Sequence, residues 1–91
     1  AYKLAPNNAA VADTLGWMLV EQGSATRGLE LLQKAVAAAP QAHEIRFHLA
    51  QAWFKSGDKS KARTELERLL ANDGTFPQRA EAMNLLKQLK N

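Results

Sequence analysis

Ninety-one residues, 46% of them apolar, suffice for one modest core, and the scarcity of β-branched residues beside abundant Leu and Ala points to helices. The net charge of +3 lies in the second half, where residues 52–91 hold eight Lys and Arg against five Asp and Glu, interspersed and not clustered as on a nucleic-acid surface. With no cysteine there is neither a disulfide framework nor a thiolate metal site, and no apolar run approaches the roughly 18 residues that span a bilayer.

Ala1 to Ala5 reads as the last turn of a helix stopped before Pro6, since a residue preceding proline is pushed out of the α region. Residues 1–8 are therefore expected to be the tail of a preceding repeat in a longer chain. Asn7 or Asn8 then caps a helix over about 9 to 22, whose apolar stripe is Val11, Leu15, Met18 and Leu19. Gly23 ends it in the left-handed conformation, and Ser24 caps the next. The second segment, about 25 to 38, carries Leu29, Leu32 and Val36 beside Leu31 and Ala35, apolar over more than half its circumference, as a helix packed on two neighbours requires.

Pro40 restarts the pattern. The third segment, about 43 to 56, has Ile45, Leu49, Ala52 and Trp53 inward and ends at Gly57-Asp58. The fourth, about 59 to 72, has Ala62, Leu66, Leu69 and Leu70 and ends at Asp73-Gly74. Pro77 opens a fifth, about 77 to 90, in the first-turn position where proline is tolerated, with Ala82, Leu85, Leu86 and Leu89 inward. Its polar back suits a helix that closes a stack; the alternative is the first helix of a third unit.

The punctuation recurs after 34 residues, with the Ala-to-Pro spacing of Ala1 to Pro6 returning at Ala35 to Pro40 and Gly23 at Gly57. This period resembles the tetratricopeptide repeat, whose pattern is W-x2-L-G-x2-Y, A-x3-F and a late P. Counting from Ala9, its eight signature places hold Ala12, Leu15, Gly16, Leu19, Gly28, Leu32, Ala35 and Pro40. Counting from His43 they hold Arg46, Leu49, Ala50, Trp53, Ala62, Leu66, Leu69 and Gly74. Small residues recur where two backbones would meet and bulky ones where space is filled. The resemblance implies an all-α superhelix of two helical hairpins, 9–42 and 43–76, followed by a capping helix over 77–91. More narrowly, LGWMLVEQG, GLELLQKAVAAAP and FPQRAEAMNLLKQL are similar to the C-terminal repeats of a bacterial lipoprotein family associated with exopolysaccharide and PEP-CTERM surface-protein systems. That likeness implies an envelope location, a scaffold or spacer role, and a natural C-terminus at the tail.

The chemistry of catalysis is sparse. His43-Glu44-Ile45-Arg46-Phe47-His48 has the look of the zinc-protease H-E-x-x-H, but its histidines are five apart, about 140° around a helix, so no metal is expected there. Ser24, Ser56 and Ser60 sit at helix boundaries, GSATRG lacks the features of a phosphate loop, and Glu65 and Glu67 point to different sides of a helix. Neither an enzymatic function nor a cofactor is expected, and a protein or peptide partner is. The family resemblance carries a concave binding face onto Ala10, Asp13, Trp17, Val20 and Glu21 in the first unit and Glu44, Phe47, Gln51, Phe54 and Lys55 in the second. On that reading Trp17, Phe47 and Phe54 form an aromatic floor, with Asp13, Glu21 and Lys55 orienting the ligand; the alternative packs Trp17 and Phe47 between successive helices. Relatives that clamp a terminal carboxylate resemble one another in placing Lys and Asn where Asp13 and Trp17 stand, so a free C-terminal carboxylate is not the expected ligand. A rival reading gives Lys55, Lys59, Lys61 and Arg63 to RNA or an anionic polysaccharide. Self-association is expected through an N-terminal face around Val11, Met18, Leu29 and Val36.

Overall fold

Asn8 starts the first helix by accepting the Val11 backbone N–H at 3.2 Å, which relieves one of the unpaired donors at a helix N-terminus. The computed structural model describes residues 8–71 and 77–90, and within them the chain forms α1 (Ala9–Glu21), α2 (Ala25–Ala38), α3 (His43–Ser56), α4 (Lys59–Ala71) and α5 (Arg79–Lys90). Of the expected tail over 1–8 all but Asn8 lies outside the described residues, as does the expected stop at Asp73-Gly74.

Gly23 and Gly57 adopt φ of 93° and 95°, the left-handed region open to a residue without Cβ. At the first turn the Gly23 N–H reaches the Val20 carbonyl and the Ser24 N–H reaches Leu19; at the second, Gly57 reaches Phe54 and Asp58 reaches Trp53. The same two-bond closure thus ends both first helices of the hairpins. The following caps differ. Asp58 accepts the Lys61 N–H at 3.1 Å, whereas Ser24 occupies its cap position without a side-chain hydrogen bond, contrary to its expected role. Pro77 also departs from expectation: it lies in a turn before α5, and the first helical bond runs from the Ala82 N–H to the Gln78 carbonyl.

α1 packs on α2 and α3 on α4 as two antiparallel hairpins, α2 packs on α3 to join them, and α5 closes against α4. The result is an all-α superhelical stack of 40 × 28 × 17 Å. α1 and α2 approach closely at Gly16 and Gly28. A Cβ on Gly16 would sit 2.9 Å from the Gly28 carbonyl oxygen, and one on Gly28 would sit 2.5 Å from that of Gly16. Val20, Leu29, Leu32, Leu49 and Ala52 fill the space between the hairpins, and Phe47, Ala50, Leu66, Leu69 and Ala82 form a second cluster under α5.

The expected stripe on α1 is displaced. The buried residues are Ala12, Asp13, Gly16 and Val20, while Met18 is 47% exposed and Leu15 and Leu19 are half-buried. The small residues permit the close backbone approach to α2, and that approach turns the Leu side chains toward the outer edge. There Leu15, Leu19 and Leu31, with Arg27, Glu30 and Lys34, line a cleft of about 390 Å³. Leu29 faces the opposite way, buried against Leu49 in the inter-hairpin cluster, and so leaves the proposed N-terminal self-association face.

Candidate functional site

Asp13, Trp17 and Glu21 recur every fourth residue on α1, and Glu44, His48, Gln51 and Lys55 follow at steps of four, three and four on α3, so each set shares one helical face. The α1–α3 contact brings these two faces together. Asp13 is only 8% exposed, and a carboxylate so placed needs a partner to offset its lost hydration. His48 supplies it: Nδ1 lies 2.7 Å from Asp13 Oδ1, the carboxylate accepting from the imidazole. The Trp17 indole stacks on the same ring, centroids 5.0 Å apart at an interplanar angle of 22°. This indole also packs against the inter-hairpin core, so the stack is anchored from below.

The hydrogen bond that His48 donates to Asp13 raises the His48 pKa above its ordinary 6.5; burial opposes the rise, and the negative charges of Asp13, Glu44 and Glu21 reinforce it. A protonated imidazole over the Trp17 face adds a cation–π attraction. One donor atom each from Asp13, Glu44 and His48 lie within 4.8 Å of one another.

Three residues expected in the groove are buried: Asp13, expected to orient the ligand, is taken up by His48, and two apolar ones are covered by neighbouring helices. Phe47 is 3% exposed among Ala50, Leu66, Leu69 and Ala82, drawn in because α4 and α5 cover its side of α3. Val20 is 5% exposed and stands directly over Gly28, where the missing side chain makes room for it. Phe54, two turns beyond Phe47 on the same stripe, is 36% exposed because it lies past that cover. Trp17 and Gln51 are half-buried, and Glu21 and Lys55 are exposed. His48 is the residue added to the groove set. Its place three residues before Gln51 and four after Glu44 was the signal that could have found it.

Of the basic residues, Lys61 Nζ stands 4.6 Å over the Trp53 ring and Arg63 pairs with Glu67 at 3.4 Å, so two of the four are engaged within the fold. Arg46, at a place where the repeat pattern has an aromatic residue, binds Glu65 at 2.9 Å and the Pro40 carbonyl at 3.4 Å, joining α3 to α4 by charge instead of ring packing. Among the described residues no helix is long and apolar enough to cross a membrane.

A family model described as the tetratricopeptide repeat matches residues 19–86. No curated protein matches the chain. Such repeats generally mediate protein–protein interaction and are typically not enzymes. The match runs from the last turn of α1 through α2, α3 and α4 into α5, over the two glycine turns, and the chain belongs to the tetratricopeptide repeat family.

Proposed function

We propose that the chain binds a segment of another protein along the surface shared by α1 and α3, with Trp17 as apolar anchor and Glu21, Gln51 and Lys55 as polar contacts around it. The observation that carries this reading is the Trp17–His48 stack, locked by Asp13 and half-buried. A large aromatic surface held in one orientation loses little entropy when a ligand covers it. The engaged state of Lys61 and Arg63 gives no such support to an anionic polymer.

The test is selection of binding peptides from a displayed library, followed by titration against variants. Trp17→Ala is expected to weaken selected peptides at least tenfold, and Met83→Ala, exposed on α5, to leave them unchanged. Unchanged affinity in a correctly folded Trp17→Ala chain overturns the assignment. The scaffold role in an envelope system rests on sequence resemblance, and fractionation of the full-length protein away from envelope material would dismiss it.

A further inference from the structure

His43 and His48 cannot share a metal, but the fold supplies His48 with different companions. Glu44 stands one turn before it on α3, the i, i+4 spacing at which two side chains of a helix converge on one ion. Asp13 arrives from α1. One donor atom from each of the three lie within 4.8 Å of one another, across the joint between the two repeat units. From this arrangement we propose that Asp13, Glu44 and His48 form a site for a divalent transition-metal ion of the Zn²⁺ class, which bridges α1 to α3.

The donor set selects the class. One imidazole nitrogen and two carboxylate oxygens suit Zn²⁺ and its first-row neighbours, whereas Ca²⁺ and Mg²⁺ favour all-oxygen shells. Three protein ligands leave a fourth tetrahedral position for water. In a tetrahedron with bonds of about 2.0 to 2.1 Å, neighbouring donors stand about 3.3 Å apart. Asp13 and His48, now 2.7 Å apart around a shared proton, need to open by only a fraction of an ångström when an ion replaces that proton. The larger adjustment falls on Glu44, whose side chain is exposed and swings at little cost. Trp17 fixes the plane of the imidazole, and burial of Asp13 fixes its carboxylate, so two of the three ligands are already positioned.

The inference stands apart from peptide binding and is tested without a partner. Zn²⁺ is titrated calorimetrically into the metal-free chain, alone and with Mg²⁺ in large excess. One equivalent is expected to bind with no competition from Mg²⁺. Glu44→Gln is expected to weaken it at least tenfold, as is His48→Gln, while His43→Gln leaves it unchanged. His48→Gln removes the partner of a buried carboxylate and can unfold the chain; Glu44→Gln changes an exposed residue and decides the matter by itself. Absence of stoichiometric binding, binding that survives Glu44→Gln, or binding lost with His43→Gln each overturns the site.

Discussion

At the scale of single residues, the Asp13–His48 pair has a thermodynamic consequence that the metal-free chain can be made to display. Because the folded state holds the His48 proton more tightly than the unfolded state does, the pair contributes its full stability below pH 6.5 and loses it as the pH rises through the higher folded-state value. With a chelator present, the melting temperature is therefore expected to fall as the pH is raised from about 6.5 into the alkaline range. The groups facing the imidazole come from both helices: Asp13, Trp17 and Glu21 from α1, Glu44 from α3. Asp13→Asn, which keeps the shape and removes the charge, is expected to flatten that slope. A parent chain whose melting temperature stays level over the same interval would show that the pair holds no preferential proton. Trp17, Glu21, Gln51 and Lys55 came to the candidate surface through the family resemblance, and in the fold they are half-buried or exposed. The burial of Phe47 and Val20 was not legible, because spacing tells which residues share a face and not which neighbouring helix covers it.

At the scale of the helix pair, the first hairpin is defined by what is missing from it. Gly16 and Gly28 allow α1 and α2 to approach until backbone meets backbone, and any added carbon enters occupied space. Gly28→Ala places its Cβ against both a fixed carbonyl and the Val20 side chain, neither at the end of a flexible chain. It is expected to cost about 1–3 kcal/mol through overpacking, despite the better helix propensity of alanine, read as a lowered urea midpoint at constant slope. A stability equal to the parent would mean that the helices part with ease. The second pair differs: Ala50 and Ala62 occupy the equivalent places, and both are fully buried. Helix bounds were readable nearly to the residue because glycine turns and the asparagine cap are local chemistry. The inward stripe of α1 was misjudged since large apolar residues draw attention, whereas this interface is organised around small ones.

At the scale of the whole stack, α5 determines whether the second hairpin ends in a core or in an exposed apolar surface. Ala82 is completely buried beside Phe47, Leu66 and Leu69, and Leu85, Leu86 and Leu89 lie across the same cluster. Deleting residues 77–91 is expected to uncover that cluster, lowering the melting temperature and raising binding of a hydrophobic dye; a truncated chain that stays monomeric and melts like the parent would show that α5 is not its cover. The 34-residue period made this architecture readable, since each unit leaves one face to be covered by the next. What the period could not convey is the asymmetry between the joints. Within the first hairpin, the backbones of α1 and α2 meet at Gly16 and Gly28. Between the first helices of the two units, an indole, an imidazole and a carboxylate intervene. The two hairpins thus meet along two unlike contacts, an apolar α2–α3 core and a polar α1–α3 stack at His48. A change in the charge on His48 therefore falls on that polar stack, and is expected to alter how α1 sits on α3 and not how either hairpin is built.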